Sequence, residues 1–334
     1  MSNYQTQDFY QKPPETRFLR KCLITKPKIF TRNRVSLLVK SKILTFKIPM
    51  LFKIRNQLTE VASELVYKVD LLKHTPKLPS LSESDRAIIN TLKHEGVLVT
   101  SVDALSIPST SQTIESAKKI VTRLQNPDSD PGIIQDKNYS ITRIGYTQLA
   151  AEYPEIFLWG LNERLVNIIE NYIGLPIACI GVDVRKDIGN GIKDVGQRKW
   201  HRDSDDRRQI RIIVYLSDVT ENTIAFEYVP KHLTPVNPFK STYADEEMKQ
   251  AVPESAWKAC HGNAGTAVMV ATSDVYHHAK VPPTEGADRF TLVYTYTSRK
   301  PRRLQLCKDH FSTEGLQALE GKLSPNQRDY ALWY

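Results

Sequence analysis

The chain has 334 residues, 40% hydrophobic and 25% charged, so it can bury a core, and it holds no run of eighteen uncharged apolar residues that would form a transmembrane helix. Its net charge of +9 suggests a polyanionic partner. That charge is uneven: residues 1–55 carry 13 Lys and Arg against only Asp8 and Glu15, a net +11, and the rest of the chain stands at −2.

In chain order, residues 1–77 read as a basic, mainly helical N-terminal extension. Within it Leu58, Val61, Leu65 and Val69 repeat at helical spacing. Two prolines, Pro76 and Pro79, then break the chain as a linker. Ser82 or Ser84 caps a helix running to about Lys93, closed by His94-Glu95-Gly96, and Val97–Thr100 follows as a strand. All 14 glycines lie at or after Gly96. Helices are expected at 112–125 and 153–173, and strands at 176–186, 209–217, 224–229, 266–271 and 289–297. Helices first and short strands late give an α+β class with a β-barrel or double-sheet core. The main domain is placed at 78–305, and 306–334 reads as a helical tail.

Cys22, Cys179, Cys260 and Cys307 are far apart and form no CxxC pair, so they read as reduced thiols. The start lacks the basic and apolar regions of a secretory signal, and the expected location is cytoplasmic. No zinc spacing or helix-turn-helix signature is present, so no nucleic-acid partner is expected. The basic extension has two readings. One is contact with an anionic membrane surface; the other is packing on the main domain or on another subunit.

The chemistry concentrates in Trp200-His201-Arg202-Asp203. In an extended segment, residues two apart point the same way, so His201 and Asp203 can face one metal. They make two-thirds of the 2-His-1-carboxylate triad of non-heme Fe(II) oxygenases. Tyr276-His277-His278-Ala279 supplies a distal histidine, closing a segment that opens with the apolar strand Ala267–Val270. Arg289 and Thr291 then share one face of a strand, where a guanidinium and a hydroxyl can hold a carboxylate. Gly189-Asn190-Gly191 lacks the following Lys-Ser/Thr of a phosphate loop and reads as a turn.

The segments WHRDSDDRRQIRIIVYLSDV, FEYVPKH, GTAVMV and HHAKVPPTEGADRFTLVYTYTS resemble the phytanoyl-CoA dioxygenase-like family of Fe(II)/2-oxoglutarate-dependent oxygenases. The resemblance spans roughly residues 80–300. It implies a double-stranded β-helix (jelly-roll, cupin-like) core with flanking helices. It further implies that His201, Asp203 and a distal histidine bind Fe(II), and that Arg289, with Thr291, holds the far carboxylate of 2-oxoglutarate. His277 is the favoured distal ligand and His278 the alternative, because a strand points neighbours in opposite directions. The chain departs from the family pattern around Phe226-Glu227, in a turn rather than a ligand.

The implied activity is a dioxygenase that consumes O2 and 2-oxoglutarate, with ascorbate as a supporting reductant. It hydroxylates or desaturates a small-molecule metabolite and releases succinate and CO2. Related halogenases have a small residue in place of the carboxylate, and Asp203 is retained here. The alternatives are a cupin-like isomerase or lyase without 2-oxoglutarate, and a catalytically silent jelly roll that binds a ligand or partner. Arg207 and Arg211 read as salt bridges to Asp205, Asp206 and Asp218, or as contacts to an anion; Tyr215, Tyr294 and Tyr296 read as barrel core or wall.

Overall fold

A computed structural model describes residues 55, 58–193, 196–236, 241–282, 288–308 and 313–331. Contacts divide the chain into residues 1–65 and residues 66–334. In the first unit the described residues, 55 and 58–65, are helical. The rest of the basic arm, and Cys22 with it, lies outside the described residues.

The second unit opens with helical residues 66–74 (α1). Next comes α2 (Glu83–Glu95), two residues longer than its sequence suggests. The Ser82 hydroxyl accepts the Asp85 N–H at 3.1 Å, and Gly96 ends the helix at φ 86°. That left-handed turn, with the Val275 side chain packed where a Cβ would sit, requires glycine. The chain continues through β1 (Val97–Ser101), α3 (Thr110–Gln125) and the hairpin β2 (Ile133–Asp136) and β3 (Ile141–Ile144). Then follow α4 (Tyr146–Glu152), α5 (Pro154–Gly160) and α6 (Glu163–Ile173). The single helix expected over 153–173 is therefore two. They part at Leu161, and the Asn162 side chain caps α6 by accepting the Arg164 N–H at 3.1 Å.

The strands that follow are β4 (Ile177–Asp187), β5 (Trp200–His201), β6 (Ile210–Tyr215), β7 (Ala225–Tyr228) and β8 (Thr242–Tyr243). After α7 (Asp245–Ala251) come β9 (Lys258–Cys260), β10 (Thr266–Ala271), β11 (His277–Lys280) and β12 (Arg289–Ser298). Three short helices, α8 (Leu304–Lys308), α9 (Thr313–Glu320) and α10 (Pro325–Ala331), close the described chain.

Seven strands form one sheet in the order β1-β10-β6-β12-β4-β3-β2, and five form a second in the order β8-β5-β11-β7-β9. All named pairings are antiparallel. From β4 onward the chain crosses between the sheets at nearly every strand: β4, β6, β10 and β12 lie in the larger sheet, β5, β7, β9 and β11 in the smaller. That winding is a double-stranded β-helix, so the α+β jelly-roll class expected from the sequence is what the chain adopts. β10 and the His277 segment lie in opposite sheets.

Alternation along the strands sorts the side chains. Ile212 and Val214 of β6, Leu292, Tyr294 and Tyr296 of β12, and Val182 and Val184 of β4 join the helices in the main core. Tyr294 and Tyr296 thus pack between sheet and helix rather than inside the barrel; their hydroxyls donate to the carbonyls of Ile156 and Gly160 in α5. The intervening residues face the barrel interior. There Ile213, Tyr215, Phe226, Tyr228, Val268 and Val293 make a smaller apolar cluster. The buried polar residues Arg185, Asp187, Arg289 and Thr291 occupy the same inward register on β4 and β12.

Candidate metal centre

His201 and His277 sit directly opposite each other on the paired strands β5 and β11. Their rings lie 4.4 Å apart between centroids. Asp203 is not in a strand. It follows β5 in a loop, and its N–H donates to the Thr272 carbonyl at 3.0 Å, beyond the end of β10. Strand alternation is therefore not what aims Asp203; the backbone tie to Thr272 is. One donor atom from each of the three residues lies within 4.8 Å of the others.

Both imidazoles are prepared as ligands. His201 Nδ1 donates to the Lys199 carbonyl at 2.7 Å, and His277 Nδ1 donates to the Val275 carbonyl at 3.1 Å. A carbonyl can only accept, so each Nδ1 carries the proton and each Nε2 presents a lone pair. Burial pushes the His277 imidazolium down to about 3, with the neighbouring His201 acting in the same sense. Burial also lowers His201, against the opposing pull of Asp203. For Asp203, burial alone would raise the carboxyl; the charges of Arg211, His277 and His201 outweigh it and bring it down to about 2. Two neutral imidazoles and one carboxylate suit a first-row divalent cation with open positions. The set could hold a metal ion, and its protein side needs no protonation change to do so at neutral pH.

His278 points the other way. Its Nε2 bonds Glu227 at 2.8 Å, its Nδ1 contacts the Arg198 carbonyl at 3.2 Å, and its ring stacks on Trp200 at 4.0 Å. It belongs to the outer face of the smaller sheet. The structure brings His277, not His278, to His201 and Asp203.

A cavity of about 20 Å³ is lined by His201 and His277; its lining also includes Arg185, Gln197, Arg211, Phe226, Thr272 and Arg289. Arg289 is buried and gives two nitrogens, Nε and Nη2, to Asp187 Oδ2 at 3.1 and 3.0 Å. Its Nη1 is buried and has no partner among the described residues. Thr291 lies two residues on, with a buried hydroxyl that also has no partner among the described residues, but it is not part of the cavity lining. Orphaned buried donors are costly, on the order of 1–3 kcal/mol each, and this cluster fits an anionic group that would satisfy them.

Arg211 pairs with Asp203 at 3.0 Å, not with Asp205, Asp206 or Asp218. Arg207 lies over the Tyr67 ring at 4.7 Å. Gly189-Asn190-Gly191 is a turn, stapled by Arg198, whose guanidinium donates to Asn190 Oδ1 at 2.7 Å and to the Ile188 and Ile192 carbonyls. Sequence reasoning missed Arg185, Asp187 and Gln197 as neighbours of the site. A signal was present: Asp183 and Arg185 alternate with Val182 and Val184 in a strand, which marks a polar inner face.

No protein-family model and no curated protein matches the chain. Solved structures with a similar fold include the non-heme alpha-ketoglutarate-dependent epimerase SnoN from nogalamycin biosynthesis, at 14% identity over 65% of this chain and 81% of that one, TM-score 0.47. EctD from S. alaskensis in its apoform aligns at 16% identity over 66% and 79%, TM-score 0.46. HygX from Streptomyces hygroscopicus, crystallised with nickel, 2-oxoglutarate and hygromycin B, aligns at 17% identity over 65% and 88%, TM-score 0.42.

Proposed function

We propose that the chain is an Fe(II)- and 2-oxoglutarate-dependent oxygenase of the phytanoyl-CoA dioxygenase-like kind that hydroxylates a small-molecule metabolite. The observation that supports this most is the convergence of His201, Asp203 and His277 beside a cavity with the unpartnered guanidinium nitrogen of Arg289. A silent jelly roll has no reason to keep both. A cupin-like lyase has no use for a buried arginine held beside the metal ligands.

In this reading His201 Nε2, His277 Nε2 and Asp203 hold Fe(II). Arg289 Nη1, with Thr291, holds the outer carboxylate of 2-oxoglutarate. Asp187 fixes the guanidinium from behind, so Arg289 meets the ligand already oriented. When bound, the iron and 2-oxoglutarate together supply activation of O2, with succinate and CO2 as co-products. The residues contribute position, charge and dryness. Phe226, Ile213 and Val293 wall the cavity with apolar surface. The lining side chains must move apart to seat a five-carbon dicarboxylate, because the space between them is about the size of one water.

The test is uncoupled turnover. The purified chain with Fe(II), ascorbate and 2-oxoglutarate under air is expected to form succinate, and His201→Ala and Arg289→Ala are expected to reduce it at least a hundredfold. Failure of the wild type to bind Fe(II) or 2-oxoglutarate rejects the oxygenase.

A further inference from the structure

The two oxygens of Asp203 meet different surroundings. Oδ1 lies 3.7 Å from His201 Nε2, on the side where the three donor atoms converge. Oδ2 faces away and accepts from Arg211 Nη2 at 3.0 Å and from Gln209 Nε2 at 3.2 Å. Both donors are firmly placed. Arg211 lies within β6, paired with Val270 of β10 and Thr295 of β12. The Gln209 N–H donates to Ser273 Oγ at 3.1 Å, and its carbonyl accepts the Thr272 N–H at 3.1 Å. The same Thr272 carbonyl holds the Asp203 backbone. So the backbone of Asp203 and one of its oxygens are anchored to the same end of the larger sheet, and a single oxygen is left over.

We propose that Arg211, assisted by Gln209, is a positioning residue that occupies Asp203 Oδ2 and restricts the carboxylate to one metal-facing oxygen. The inference rests on the metal-centre reading above. A carboxylate can bind a cation through one oxygen or two. With two, Asp203 would take a further position around the metal that a chelating co-substrate needs. A charge-assisted bond from a guanidinium is a strong way to prevent that. Arg211 carries a positive charge close to a cation site, so its role is not to strengthen metal binding; its role is to keep a position open.

The experiment uses the full chain with Co(II) as a spectroscopic probe and no turnover. Wild type, Arg211→Met, Arg211→Lys and Gln209→Leu are titrated with Co(II), then with 2-oxoglutarate, while visible absorption is followed. Circular dichroism and melting of the metal-free proteins report folding. Arg211→Met is expected to keep Co(II) affinity within about threefold of wild type, to change the Co(II) band before 2-oxoglutarate is added, and to lose at least tenfold in 2-oxoglutarate affinity. Arg211→Lys, which offers one donor to Oδ2, is expected to restore both readouts most of the way. An Arg211→Met band and 2-oxoglutarate affinity equal to wild type overturn the proposal. An unchanged band with weakened 2-oxoglutarate also overturns it, because Arg211 then contacts the co-substrate directly. If Arg211→Met does not fold, Gln209→Leu decides: a wild-type band overturns the proposal, and a shifted band supports it. Absence of Co(II) binding by the wild type removes the metal centre itself, a result separate from any effect of Arg211.

Discussion

Two adjacent histidines show how much depends on which way one side chain points. His277 turns into the barrel, buried among His201, Phe226 and Asp203; His278 turns outward to Glu227 and Trp200. The two should therefore separate on mutation. His277→Ala is expected to weaken Fe(II) binding at least a hundredfold, measured by equilibrium dialysis. His278→Ala is expected to leave metal affinity within about threefold and to cost roughly 2 kcal/mol of stability, since a hydrogen bond to a charged group is removed. Equal metal loss in both variants rejects the assignment. In the sequence this choice stayed open, because strand alternation says that neighbours diverge without saying which one faces inward. The register of His277 against His201 and Tyr228 settles the direction, and register is a property of the paired strands, not of one segment. Asp203 was legible as a residue type; its tie to Thr272 was not, because that contact joins positions distant in the chain.

At the scale of elements, the smaller sheet is held near the site by a polar ladder. Glu227 of β7 faces His278 of β11 in register and accepts from His278 and from Lys280 Nζ, at 2.8 and 2.6 Å. Burial alone would raise the Glu227 carboxyl; the hydrogen bonds from His278 and Lys280 outweigh it, so it stands below the usual value of 4.5. A carboxylate depressed in the folded state binds protons more readily when unfolded, so its stabilisation is present above 4.5 and fades as pH falls below that value. Glu227→Gln is accordingly expected to melt below wild type at pH 6–7, and the gap is expected to narrow from pH 4.5 downward. Melting curves between pH 3 and 7 check it, and a gap of constant size refutes it. Longer elements were readable beforehand: β4, β6, β10 and β12 carry strong β-branched patterns. The two-residue strands β5 and β8 were not, since a strand that short has no period to read and exists only through its partners. The break between α5 and α6 was hidden because the apolar residues on either side keep helical spacing across it.

The whole molecule divides by charge. Residues 1–55 carry +11 and the remainder −2, and the site chemistry lies wholly in the remainder. The three metal-centre residues all lie after the arm in sequence, and the arm is a candidate for a separate task. Thirteen basic residues mixed with runs such as Val35-Ser-Leu-Leu-Val39 and Ile48-Pro-Met-Leu-Phe52 suit a surface that is both anionic and apolar at its boundary. No described helix is long and apolar enough to cross a membrane. Near an anionic leaflet each Lys or Arg contributes about 1 kcal/mol, and the effect is screened within a Debye length. We therefore propose that the arm binds anionic lipid. The full chain is expected to co-sediment with phosphatidylserine-containing vesicles at 50 mM salt, to release by 500 mM, and to ignore neutral phosphatidylcholine vesicles. A chain lacking residues 1–55 is expected to stay in the supernatant in all three conditions while binding Fe(II) as the full chain does. Equal sedimentation of the truncated and full chains refutes the lipid role. A truncated chain that changes its mass in light scattering, while the full chain ignores vesicles, assigns the arm to subunit contact instead.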